Sequence, residues 1–92
     1  MAPLGDSEIE ARLAEYPGWE RNGSAMRKSY KRGDFVGSVN FVRSLVEPAE
    51  AMHHHPDLAI SWDTVTVSLS THSDGGITEA DFELAAKIDT LA

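Results

Sequence analysis

The chain has 92 residues, 41% hydrophobic and 25% charged, a composition that fits one globular domain spanning 1-92 and argues against disorder. Eight basic residues stand against fifteen acidic ones, a formal charge of -7, which speaks against direct nucleic-acid binding. Cysteine is absent, excluding disulfides, thiolate zinc sites and thiol nucleophiles, and no apolar run approaches the ~18 residues of a membrane span.

The N-terminal stretch has neither the basic start nor the apolar run of a secretory signal, so a cytoplasmic protein is expected. Ser7 and Glu10 have capping-box spacing, and Ile9, Leu13 and Tyr16 follow on one helical face until Pro17-Gly18 stops it. Trp19 to Arg21 and Ala25 to Lys31 read as strands joined through Asn22-Gly23, whose residues tolerate positive φ. Arg27, Lys28, Lys31 and Arg32 form the one basic cluster, read as a solvated strand end.

A second helix is predicted from Asp34, with Phe35, Val39, Val42, Val46 and Ala49 as its core stripe. Pro48 predicts a kink or restart, and Pro56 ends the element. Asp57 to Ser61 and Thr64 to Thr71 read as strands with a tight turn near Asp63. Val65, Val67 and Leu69 alternate with hydroxyl residues, and the same parity sets His72 on the Ser70 face, away from the core. After the loop Asp74-Gly75-Gly76, Thr78 and Asp81 cap a last helix with the stripe Leu84, Ile88 and Leu91. The order α-ββ-α-ββ-α predicts an α+β, two-layer sandwich: a four-stranded antiparallel sheet with three helices on one face.

Four histidines carry whatever chemistry the chain has: His53, His54 and His55 in a row, and His72. Three consecutive helical residues point about 100° apart, so they diverge unless the helix ends, as Pro56 requires. Glu50 lies four residues before His54, a spacing at which the two meet on a helical face. Three readings fit: a polar helix end, a metal site without the usual zinc spacings, or general acid–base chemistry.

Glu50-Ala51-Met52-His53-His54-His55-Pro56, then Trp62, His72 and Asp81, resembles the signature of the pterin-4a-carbinolamine dehydratase family. The likeness extends along the chain, through Trp19, Phe35, Phe41, Thr71-His72 and Gly76-Ile77-Thr78-Glu79 to Ala85-Ala86. It implies the same sandwich fold and the dehydration of 4a-hydroxytetrahydrobiopterin to quinonoid dihydrobiopterin, which serves aromatic amino-acid hydroxylases. It implies no metal and no organic cofactor, and a homodimer or homotetramer. One animal member also acts as a dimerisation cofactor of a homeodomain transcription factor.

Carried over by position, His54, His55 and His72 match the family's three active-site histidines, and Glu50 its acidic residue. His53, Trp62, Ser70, Thr71, Ser73 and Asp81 fall where the family contacts or encloses the pterin. The expected mechanism makes His54 the principal acid–base group, steadied by Glu50. His72 acts from the other side of the ring or stabilises the departing water, and His55 binds and orients the pterin. Two positions depart from the family pattern: His53 stands at a common aspartate or asparagine position, and Ala80 replaces an arginine of some members. The alternatives are a non-enzymatic pterin-binding or protein-partner module, or action on a molybdopterin-related pterin.

Overall fold

Alternation of apolar and polar side chains decides which way each strand faces. The computed structural model describes residues 2–92. Strands β1 (Glu20–Asn22), β2 (Ala25–Lys31), β3 (Asp57–Ser61) and β4 (Thr64–Leu69) form one antiparallel sheet in the order β1-β2-β4-β3. Met26 pairs with Leu69 and Tyr30 with Val65, so these residues share one face, and all four are buried there with Val67. Helices α1 (Asp6–Leu13), α2 (Phe35–Ser44), α3 (Val46–Met52) and α4 (Glu79–Leu91) cover that face. Helices α1, α2 and α4 and the joint between α2 and α3 contribute Ile9, Phe41, Leu45, Phe82, Leu84, Ala85 and Ile88 to the same core, and Met52 of α3 packs against it. The predicted α+β sandwich is the observed one, with the middle helix broken in two.

Several local expectations change. Helix α1 begins one residue early, at Asp6, behind Gly5, and no side chain caps it, so the Ser7–Glu10 box does not form. It ends at Leu13, and Tyr16 reaches the core from the following turn. Strand β1 is shifted by one residue, because Trp19 is buried as an anchor and Asn22 pairs with Ala25. The turn residues are therefore Gly23-Ser24, with Gly23 at φ 63°. Strand β4 ends at Leu69 rather than Thr71, since Ser70 turns inward and donates to the Ser24 carbonyl at 2.7 Å.

The middle helix restarts at Leu45, not at Pro48. Leu45 N–H bonds back to Val42 at 3.1 Å, and Pro48 then falls in the first turn of α3, where its missing N–H costs nothing. The expected core stripe is corrected too. Phe35 and Val46 are more than half exposed, and the inward face is Ser38, Phe41, Leu45 and Ala49. Buried Ser38 satisfies its hydroxyl by donating to the Asp34 and Trp62 carbonyls. The last helix keeps its predicted Thr78–Asp81 capping box, although Leu91 is exposed.

The basic cluster is mostly engaged. Lys28 Nζ bonds Asp89 Oδ1 at 2.9 Å, Lys31 lies 3.8 Å from Asp63, and Arg32 stacks over Phe41. Asp89, near the end of α4, also accepts from Trp19 Nε1 at 3.0 Å and the Tyr30 hydroxyl at 2.6 Å. This network ties α4 to β2 and to the start of β1.

Candidate active site

The end of α3 sorts the three consecutive histidines. His53 takes the left-handed conformation (φ 50°, ψ 40°) as the helix C-cap. Its N–H bonds the Glu50 carbonyl, and His54 N–H bonds the Ala49 carbonyl, a Schellman closure. That reversal breaks the helical phase. His54 turns inward and His55 outward, while exposed His53 makes the bend.

His54 Nε2 lies 2.5 Å from Asp81 Oδ1. Asp81 is fully buried, and the His54 side chain is 13% exposed, at the rim of the core. The other Asp81 oxygen, Oδ2, accepts from Thr71 Oγ1 and from Thr78 N–H, both at 2.9 Å. Each threonine hydroxyl has one proton. Thr71 gives its proton to Asp81, so Thr78 donates to Thr71 across 2.8 Å while accepting from Ala80 N–H. The chain of donors thus runs toward the carboxylate, which leaves Asp81 Oδ1 to accept Nε2–H from His54. Nδ1 is then the nitrogen free to exchange a proton with another molecule.

Glu50 does not hold His54, as the i,i+4 spacing had suggested. Its Oε2 lies 2.5 Å from His55 Nε2, and both side chains are exposed. The left-handed His53 is the reason, since beyond it the four-residue rule no longer applies.

His72 opens a short 3-10 turn, His72–Asp74, closed at its base by the Thr71–Gly76 bridge. Its side chain is 78% exposed, with Nε2 3.7 Å from Asp57 Oδ2. Two links therefore join the distant histidine segments: Thr71 to Asp81 to His54, and His72 to Asp57, three residues after His54. Ser73 is exposed in the same turn. Ser70 is spent on Ser24, and Thr71 serves Asp81 rather than facing outward. Trp62 stands apart. It sits beyond β3 at the opposite end from the histidines, about 20 Å from His55 at strand spacing.

Sequence reasoning missed Asp57 as the neighbour of His72 and Asp81 as the partner of His54. The capping-box spacing had flagged Asp81 for its helix and the family resemblance had flagged it for the pterin, but neither for His54. Asp57 carried no separate signal, because it depends on how β3 meets the loop after β4. Among the described residues, no three His, Asp or Glu side chains converge as a metal-binding set. No helix among them is long and apolar enough to cross a membrane.

The family model described as "Pterin 4 alpha carbinolamine dehydratase" matches residues 2–91. The chain belongs to this dehydratase family. A family relative from Thermosynechococcus vestitus, provisionally named a pterin-4-alpha-carbinolamine dehydratase, is 51% identical over 89 residues, covering 97% of this chain and 94% of its own. A relative of the same provisional name from Mycobacteroides abscessus is 49% identical over 90 residues, covering 98% and 96%. Among solved structures, a "transcriptional coactivator/pterin dehydratase" from Brucella melitensis superposes with a TM-score of 0.92 at 33% identity, over 98% of both chains. A pterin dehydratase-like protein described as a RuBisCO assembly factor of the alpha-carboxysome shares the fold, with a TM-score of 0.64 at 23% identity over 80% of this chain and 86% of that one.

Proposed function

We propose that the chain, working as one domain over its length, is a cytoplasmic 4a-hydroxytetrahydrobiopterin dehydratase that recycles the pterin used by aromatic amino-acid hydroxylases. The observation that carries this reading is the His54–Asp81 pair, an imidazole fixed by a fully buried carboxylate and free at one nitrogen. Family membership supports the substrate class, and the contact between His72 and Asp57 supports a site built from both histidine segments.

The substrate carries a hydroxyl on C4a and a proton on N5. Hydroxide leaves poorly, so an acid protonates it as the C–O bond breaks and water departs. A base removes the N5 proton, and the C4a–N5 double bond of the quinonoid product forms. Each well-placed proton transfer contributes about 10²–10⁴-fold. In this reading His54 exchanges the proton through Nδ1, and Asp81 stabilises the imidazolium that forms when it does. His72 assists from the other side of the ring. His55, steadied by Glu50, orients the pterin, with the exposed His53 and Ser73 at the rim. Thr71 positions Asp81. The mechanism routes no step through a metal or an organic cofactor.

A second reading, a pterin-binding or protein-partner module without catalysis, is favoured by one observation. Phe35, Val36, Val46, Leu58, Ile60 and Trp62 are exposed apolar residues on a small chain. The same surface supports a homodimer or homotetramer. Loss of water from freshly generated 4a-hydroxytetrahydropterin, followed spectrophotometrically, separates the two readings. Wild-type protein is expected to accelerate it, and a rate equal to the uncatalysed one selects the module. Retention of that activity after exhaustive chelation is expected; loss restored by zinc would overturn the metal-free mechanism.

A further inference from the structure

Thr78 does more than a helix cap requires. A cap needs only an acceptor for the first free N–H groups, and aspartate or asparagine serves there as well as threonine. Thr78 is completely buried, so its hydroxyl proton has no water to meet. The Thr71 hydroxyl, 2.8 Å away, takes it, and Thr71 passes its own proton to Asp81 Oδ2. Both members of the pair are held from behind. The Thr71 carbonyl accepts from the N–H groups of Asp74 and Gly75, both at 3.0 Å, and Thr71 N–H bonds the Gly76 carbonyl at 2.9 Å. Next to Thr78, the Ile77 carbonyl accepts from Leu4 N–H at 2.8 Å. The two hydroxyls are thus fixed at the base of the turn that carries His72.

The consequence lies in how Asp81 divides its charge. A buried carboxylate with an imidazole as its single partner would hold the imidazolium firmly, and the ring would release its proton reluctantly. Asp81 instead serves three donors: His54 Nε2–H on Oδ1, and the Thr71 hydroxyl and Thr78 N–H on Oδ2. Bonds to a charged acceptor are the strong ones, and the bond from Thr78 polarises the Thr71 hydroxyl and strengthens its donation. The other charged groups around the end of α3 and the start of α4 are spent in pairs toward the surface, Glu50 with His55, Asp57 with His72, and Glu79 with Arg12. His53 is exposed as well. Water screens these groups, so the buried carboxylate dominates at His54.

We propose that Thr78 is a positioning residue which, through Thr71, draws the negative charge of Asp81 away from His54 and so keeps the imidazole able to release a proton as well as accept one. Its bearing on turnover rests on the dehydratase reading; the hydroxyl chain itself does not.

In Thr71→Val the shape stays and the donor goes. The ascending limb of the pH–rate profile for dehydration is expected to move upward, because His54 then keeps its proton longer. Turnover at neutral pH should fall roughly tenfold, the order of one hydrogen bond to a charged group, with KM changed less than about twofold, and should recover in alkaline solution. Thr78→Ser, which keeps the hydroxyl, should match wild type. Thr78→Val should shift the limb the same way by less. Combining Thr71→Val with Thr78→Val should shift it no further than Thr71→Val alone, since one residue acts through the other. An equal loss of activity at every pH, or shifts that add in the double variant, overturns the role. Thr71→Ala carries the same expectation should circular dichroism show the valine variant unfolded. Titration of the His54 ring protons by NMR reads the same effect without substrate, and its midpoint should rise in Thr71→Val. An unmoved midpoint overturns the division of charge. An inactive wild type with a risen midpoint instead removes the dehydratase reading and leaves the hydroxyl chain standing.

Discussion

Asp81 carries two tasks on one carboxylate. One oxygen receives the His54 imidazole, and the other receives the Thr78 N–H and the Thr71 hydroxyl. His54→Ala is expected to lower kcat by about 10²–10⁴-fold with the fold intact, checked by turnover beside far-ultraviolet circular dichroism. Asp81→Ala should do so too, and should also cost about 1–3 kcal/mol of stability in urea titration, because it orphans buried donors. The residue types of this site were legible in the sequence, from the paired histidines to the later His72 and Asp81. Their partnerships were not. Helical spacing matched Glu50 with His54, and the left-handed turn at His53 reassigned Glu50 to His55. A conformation of one residue, invisible to spacing rules, decided which carboxylate serves which imidazole.

At the scale of elements, Asp34 and Gly37 show how tightly the start of α2 is set. The Asp34 side chain accepts from Gly37 N–H at 2.7 Å, so Asp34→Ala should cost about 1 kcal/mol, read from the urea midpoint. Gly37→Ala is expected to destabilise as well, although alanine is the better helix former by about 1 kcal/mol. A methyl group there would stand 2.3 Å from the Arg32 carbonyl oxygen. A gain in stability would contradict this packing. The strands were readable because a period of two admits one assignment, and Val65, Val67 and Leu69 fall inward as expected. The middle helix was ambiguous because it is apolar on two faces. Phe35, Val42 and Val46 share helical spacing with the true inward set of Ser38, Phe41 and Leu45. Phe35 and Val46 stay exposed all the same, and sequence periodicity cannot separate an exposed apolar face from a core.

Across the molecule, acid and base act through the cluster at Asp89. Burial opposes its charged form, but hydrogen bonds from Tyr30, Lys28 and Trp19 prevail and hold its pKa below the usual carboxylate range. Stability from this group is complete above the unfolded carboxylate value of about 3.9 and is lost as pH falls through the lower folded value. Burial, then the bond to Asp89, pushes the Tyr30 phenol far upward. The folded chain keeps that proton after the unfolded chain has released it, so stability declines as pH rises above about 10. Urea midpoints measured against pH should show both limbs, with Asp89→Asn flattening the acid one and Tyr30→Phe the alkaline one.

The Thr78–Asp81 box has a consequence for how the protein fails. If the first turn of α4 frays, the same event that releases the helix start lets the His54 imidazole swing loose. On gentle warming, activity is therefore expected to fall in step with amide exchange at Ala80 and Asp81, ahead of the global melt. The His54 imidazole and the last helix are fastened by a single knot.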